Sequence, residues 1–178
     1  WRLHLEWTNA DASAWRRGPP LNDGRSFAAI QPTLLTYPGG RLQLLCRTRQ
    51  GAIGACWSDD GGETWTPLQP TELPNPDSGI DAVTLADGRA LLIYNHAQMA
   101  RTPLNLAISD DGTHWSAVAV LEDVPGEFSY PAIIQGRDGT VHVTYTWNRR
   151  RIRHAAFSPA DFTPLPIEHG LWPEESAA

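Results

Sequence analysis

Apolar and polar residues alternate in "RLQLL" (41–45), "RALLIY" (89–94) and "TVHVTY" (140–145), the two-residue period of a β-strand. A Gly-Gly or Asp-Gly pair stands directly before each, in "PGGRLQLL", "ADGRALLIY" and "RDGTVHVTY", and supplies a tight turn. A short apolar run precedes each turn, so 30–48, 80–95 and 130–147 read as three hairpins of one design. "AIGACWS" (52–58) and "LNLAIS" (104–109) give a third strand to the first two, and a fourth is expected to begin near the Trp that follows. No segment carries a helical period, although "SPADF" (158–162) has room for a single turn.

A second pattern recurs behind the third strands. "CWSDDGGETW" ends at Trp65, "AISDDGTHW" at Trp115, and a worn copy, "EWTNADASAW", at Trp15, so the three Trp stand 50 residues apart. Four strands per repeat of about 50 residues is the signature of a β-propeller blade, and stacked neighbours bury the faces that one blade cannot cover alone. The expected fold class is therefore all-β, a propeller of four-stranded antiparallel blades. In "SDDGGETW", Ser58 and Asp60 have short side chains suited to bonding nearby backbone N–H groups, and Gly61 and Gly62 permit positive φ. The stretch lacks the spaced ligands and terminal Glu of an EF-hand calcium loop. Asp59 and Asp60 are adjacent and would point apart, which argues against a catalytic acid pair. The stretch is a turn, and it reports fold.

These residues resemble the Asp box of the sialidase-like (BNR-repeat) propellers, Ser-x-Asp-x-Gly-x-Thr-Trp. The match is complete at Ser58, Asp60, Gly62, Thr64 and Trp65. Ser109, Asp111, Gly112 and Trp115 match with one residue deleted, and between Thr8 and Trp15 only the ends persist. The resemblance implies a six-bladed propeller of which this chain holds about three blades, with the Asp boxes turned away from the catalytic face. Domain boundaries follow: 1–162 as a partial propeller (boxes at 8–15, 58–65 and 109–115) and 163–178 as a Pro-rich tail. A chain that opens "WRLHLEWTNA" without Met reads as a piece of something longer. Closing the ring would take missing N-terminal blades or self-association.

The same resemblance implies site residues. Arg47, closing the second strand of its unit, and Arg101, opening the third strand of the next, are similar to two members of a carboxylate-binding Arg triad. Tyr130, at the start of the innermost strand of the last unit, is similar to the Tyr nucleophile. Guanidinium forks bind a carboxylate bidentately and keep their charge, while a neutral phenol is not repelled by an anionic sugar as a carboxylate nucleophile would be. The phenol needs a base as it attacks. Where the family places a Glu for that purpose, this chain has Gln31, which hydrogen-bonds but takes no proton. Asp81, at the inner-strand start of the middle unit, and Glu127 are the carboxylates available to substitute. The first triad Arg and an Asp acid/base have no match here; Arg16 and Arg17 read as outer-strand residues. "NRRRIRH" (148–154) reads as a solvated hairpin, with Arg150 repeat-equivalent to Arg101.

Composition narrows the function. The 178 residues carry 14 Lys and Arg against 20 Asp and Glu, a net charge of −6, so no basic field exists to bind nucleic acid. No apolar run of about 18 residues suggests a membrane span. The six His show no metal-ligand spacing, and no phosphate loop or nucleophile elbow appears, so neither metal nor cofactor is expected. Cys46 and Cys56 flank a turn near Gly51; two buried free thiols are expected rather than a cross-strand bridge, and the compartment stays open. Eight Trp suit both a β core and a sugar-binding surface. The expected function is exo-hydrolysis of a terminal acidic sugar of the sialic acid type, with a glycan as the partner. The alternatives are a hydrolase or lyase acting on uronate chains, and a propeller that only binds glycans or proteins.

Overall fold

The computed structural model describes residues 1–173. A hairpin of β1 (Glu6–Thr8) and β2 (Trp15–Arg17) comes first. The first sheet then runs β3 (Ala29–Thr36), β4 (Leu42–Thr48), β5 (Ala52–Ser58) and β6 (Gln69–Pro74), each antiparallel to the last. The second repeats the plan with β7 (Asp81–Thr84), β8 (Ala90–Tyr94), β9 (Leu104–Ser109) and β10 (Ser116–Glu122). The third has β11 (Phe128–Gln135), β12 (Val141–Trp147) and β13 (Arg151–Phe157), followed by a single 3₁₀ turn at Pro159–Asp161. The first strands of the three sheets, β3, β7 and β11, adjoin. The sheets are therefore blades of an open β-propeller, stacked with their inner strands side by side.

Burial explains the composition of each strand. Side chains alternate between the two faces of a strand, and the middle blade is covered on both. Leu92 and Tyr94 of β8 pack with Leu35, Leu45 and Ile53 of the first blade, while Leu91 and Ile93 pack with Ile133, Val141 and Val143 of the third. Every position of β8 and β9 is accordingly buried. Each such Leu or Ile contributes about 1.5–3 kcal/mol on leaving water. The far face of the first blade is covered by Leu3, Leu5, Leu21 and Phe27 from the N-terminal segment. The far face of the third is bare, with Ile134 and Ile152 exposed.

The Pro-rich end carries structure up to residue 173. Strand β14 (Leu165–Pro166) pairs with β10 as a fifth strand of the middle blade, Ile167 is buried against Trp115, and the Trp172 ring lies 5.1 Å from that of His96. Cys46 faces Gly54 and Cys56 faces Leu44 across the ladder, so the two thiols are not partners. Both are free and buried, and burial pushes both up to about 12.

The Asp boxes close their turns with their own side chains. Ser58 Oγ accepts from the Gly62 N–H (2.8 Å) and donates to Asp60 (2.8 Å), whose oxygens accept the Thr64 N–H and hydroxyl. Trp65 Nε1 donates to the Gly62 carbonyl (2.9 Å). Hydrogen bonds from Thr64 and Ser58 hold Asp60 down at about 2. The worn copy uses the same geometry with other residues: Asn9 and Asp11 bond the turn, and Trp15 Nε1 donates to the carbonyl of Ala12, at φ +56. In the shortened box, Gln43 of the neighbouring blade donates to the Gly112 carbonyl (2.7 Å), and Trp115 Nε1 is left without a partner. The boxes join β5 to β6 and β9 to β10, at the end of the blades opposite the starts of β3 and β11.

Candidate active site

Both outer blades begin their inner strand with the same irregularity. The β3–β4 ladder breaks between Ile30 and Pro32, and the β11–β12 ladder between Ser129 and Ala132. The residue pushed out is Gln31 at φ +53 in one case and Tyr130 at φ +51 in the other, each followed by Pro. A Pro lacks the ladder N–H and is tolerated at such a bulge. The left-handed backbone costs a non-glycine residue about 1–2 kcal/mol. Strain of this kind, twice in one register, marks the rim where the chain re-aims a side chain.

Gly79, buried just before β7, separates the two. A Cβ placed on it would lie 3.4 Å from Tyr130 Cδ1 and 3.7 Å from Gln31 Oε1. Arg47, at the end of β4 and largely buried, donates from Nη1 to Gln31 Oε1 (2.9 Å) and from Nε to Asp77 Oδ1 (2.7 Å). The Trp1 ring lies 5.0 Å from its guanidinium carbon. Arg101 stands before β9, 5.4 Å from the Tyr130 ring centroid, and donates from Nη1 to Glu127 Oε1 (3.1 Å). Arg149, in the β12–β13 turn, donates from Nε to both Glu127 oxygens at 2.9 Å. Of five guanidinium N–H donors, Arg47 commits two to these bonds and Arg101 one, which leaves donors for a carboxylate arriving over Tyr130.

Electrostatics favour ionisation of the phenol. The Arg101 guanidinium beside it, and Arg47 further off, hold the half-exposed Tyr130 hydroxyl below the usual phenol range. Partial burial pushes Glu127 up, but the Arg149 and Arg101 charges outweigh it and keep the carboxyl below its ordinary value. Glu127 is thus a poor proton acceptor and a good anchor for two guanidinium groups.

Four of the five residues expected from sequence meet here: Gln31, Arg47, Arg101 and Tyr130. Asp81 does not join them. Its Oδ1 accepts from the Thr33 hydroxyl and the Ala82 N–H (both 2.9 Å), and its Oδ2 accepts from the Ile133 N–H (2.9 Å), so the carboxylate is taken up between inner strands. Asp77, Gly79 and Arg149 were not among the expected residues. The type of turn at Asn148–Arg149, rather than any motif, decides that Arg149 reaches Glu127. Arg16 pairs with Glu63 (2.8 Å) on the Asp-box rim, at a distance from this cluster along the strands. Among the described residues no group of three or more His, Cys, Asp or Glu is arranged to hold a metal ion, and no helix is long and apolar enough to cross a membrane.

The model of the BNR repeat-like domain matches residues 1–143. The chain belongs to the BNR repeat-like family. No curated protein matches it by sequence. Among solved structures, the intramolecular trans-sialidase from Ruminococcus gnavus, in complex with oseltamivir carboxylate, superimposes with a TM-score of 0.72 at 19% identity, over 89% of this chain and 38% of that one. The K499G mutant of NanB sialidase from Streptococcus pneumoniae gives 0.72 at 17% identity, over 91% and 28%. The leech intramolecular trans-sialidase, complexed with 2,7-anhydro-Neu5Ac, gives 0.70 at 18%, over 87% and 27%. At these identities the likeness establishes the fold, that of the sialidase propellers. This BNR chain spans between about a quarter and two-fifths of the length of these neighbours.

Proposed function

We propose that this BNR chain supplies the Tyr side of the catalytic mouth of a sialidase-like exo-glycosidase, which releases a terminal acidic sugar from glycans. One observation carries the reading: Arg47, Arg101 and Tyr130, from three successive blades, converge on one rim with guanidinium donors to spare. The two guanidinium groups fork the sugar carboxylate. The Tyr130 oxygen attacks the anomeric carbon, forming a C–O bond as the glycosidic C–O bond breaks. The leaving oxygen takes a proton from an acid, and the phenol gives its own to solvent water at the open rim. Water then attacks the anomeric carbon, the Tyr130 C–O bond breaks, and the phenol regains a proton as the sugar leaves. In this chain the neighbouring cations lower the pKa of the phenol, and position 31 supplies no base, since Gln31 accepts from Arg47 and takes no proton. The remaining guanidinium and the acid come from further blades or a second copy, which also complete the ring.

Gln31 favours a second reading, a propeller with the same anion clamp acting on uronate chains by other chemistry. Incubation of the protein, with every blade present, with a fluorogenic sialoside separates the two. Release of fluorophore that disappears in Tyr130→Phe supports the first. Turnover of a uronate polymer without sialoside release supports the second. Binding of either glycan with no turnover would mark a lectin-like propeller and sink both.

A further inference from the structure

A groove opens twice between neighbouring sheets at their Asp-box end, and the repeat makes one groove a control for the other. The first, between the β1–β2 hairpin and the first blade, holds a cavity of about 370 Å³ whose lining includes Leu5, Trp7, Pro19, Leu21, Thr64 and Trp65. The second, between the first and middle blades, is also about 370 Å³. At the positions 50 residues further along it presents Ala55, Trp57, Gln69, Thr71, His114 and Trp115. The two Trp are kept. Around them Ala stands for Leu, Gln for Pro and Thr for Leu, so the second groove has more room and more polar groups. Both volumes suit a small ligand, whose pockets run from about 300 to 1,000 Å³. Size alone does not separate them.

Hydrogen bonding does. In the first groove Trp65 Nε1 donates to the Gly62 carbonyl at 2.9 Å. The shortened box of the middle blade does not repeat that bond. Its Gly112 carbonyl accepts from Gln43 Nε2 (2.7 Å), and Gln43 Oε1 accepts from the Tyr37 hydroxyl (2.7 Å). Trp115, only 5% exposed, is left with an indole N–H that has no acceptor among the described residues. A buried donor in that state is costly, and what it lacks is an oxygen. Gln43, Gly112 and Trp115 all line the cavity, with Trp115 and Ile167 buried at its floor and Gln69 and Glu72 exposed at its mouth. Trp57 is half-buried and ordered by the Arg41 guanidinium carbon, 4.0 Å from its ring centroid. No Lys or Arg is among the lining residues. Both blades that form the groove belong to this chain, so a further blade against the bare face of the third leaves it open.

We infer that the second groove is a binding site for a neutral sugar ring, separate from the rim at Tyr130. Such a ring brings a C–H face to the apolar wall of Trp57, Pro70 and Ile167, a hydroxyl oxygen for Trp115, and hydroxyl groups for Gln69, Thr71 and Glu72. A purely apolar ligand would leave the indole N–H unmet. An acidic sugar would meet the Glu72 carboxylate with no cation in the lining to offset it. The inference involves no step at Tyr130 and does not depend on the proposed function.

The test follows the indole N–H signals of Trp65 and Trp115 by heteronuclear NMR, in the protein with every blade present, as lactose, maltose or cellobiose is added. Trp65→Phe and Trp115→Phe assign the two signals by their loss. At least one of these sugars is expected to shift the Trp115 signal to saturation and leave that of Trp65 in place, while free sialic acid at the same concentration shifts neither. Ala55→Leu combined with Thr71→Leu copies the residues that the first groove already carries, and is expected to weaken the sugar about tenfold or more without lowering the melting temperature. Glu72→Gln, at the exposed mouth, is expected to weaken it about threefold and gives a second reading if the paired Leu disturb folding. No shift of Trp115 with any of the neutral sugars, an equal response to sialic acid, or full affinity in the folded variants overturns the site. Binding is read without turnover, so its failure leaves the reading of the Tyr130 rim standing, and failure of that reading leaves this one.

Discussion

The two rims of the blades handle charge in opposite ways. At the Asp-box rim, Asp60 and Asp111 bond groups no more than four residues away, so each box carboxylate is satisfied within its own turn. At the other rim, Arg47, Arg101 and Arg149 reach carboxylates 22 to 30 residues away, and donors are left over. A rim that closes on itself serves the fold. A rim assembled from three blades with unfilled donors is available to a ligand. Substitutions should therefore separate cleanly, affecting turnover at one rim and stability at the other.

The largest effect is expected for Tyr130→Phe, a loss of turnover of about a thousandfold or more with a nearly unchanged melting temperature, since the hydroxyl is half-exposed at the rim. A matching fall in melting temperature would show that the ring is structural. Arg101→Gln is expected to lower kcat/KM by about a hundredfold through loss of the charged fork. Its pH profile carries the sign: without the Arg101 charge the phenol returns upward, so the limb governed by phenol ionisation moves to higher pH. Gln31→Glu brings a proton acceptor to the bulge and is expected to raise turnover at neutral pH about tenfold, with a new acid limb in the carboxyl range. No gain would mean that position 31 lies out of reach of the reacting proton.

The smallest effect lies at the opposite rim. Ser58→Ala leaves the buried Gly62 N–H without its acceptor and is expected to cost about 1–2 kcal/mol in chemical denaturation, with turnover untouched. The same box gives stability a pH dependence. Asp60 is held at about 2 against its ordinary 3.8, so its contribution is present above 3.8 and is lost as pH falls through about 2. An Asp60→Asn protein should differ from the parent at pH 7 and converge with it by about pH 2.

The same contrast explains what could be read from the chain alone. The boxes, the 50-residue period and the alternating strands were legible because each depends on near neighbours, and even the worn copy keeps the Trp-to-carbonyl bond of Trp15. The family resemblance placed Gln31, Arg47, Arg101 and Tyr130, and they meet. Asp77 and Gly79 carry no local signal, since their partners come from other strands. In the hairpin, a one-residue difference in turn register decided for Arg149 over Arg150, a distinction invisible in "NRRR". Asp81 reads from sequence as a carboxylate available to substitute for the missing Glu, but its oxygens accept from backbone and hydroxyl donors on the strands beside it. The Pro-rich end reads as a tail, yet the β14–β10 pairing, Ile167 and Trp172 seat it against the middle blade.

Asp81 is a keystone. One carboxylate, sitting in the middle of the arch, holds β3 on its left and β11 on its right, the two strands whose bulges carry Gln31 and Tyr130. The gap across which those side chains face each other is therefore gauged by a group set back from the cluster, and the spacing of the rim is inherited from the masonry behind it.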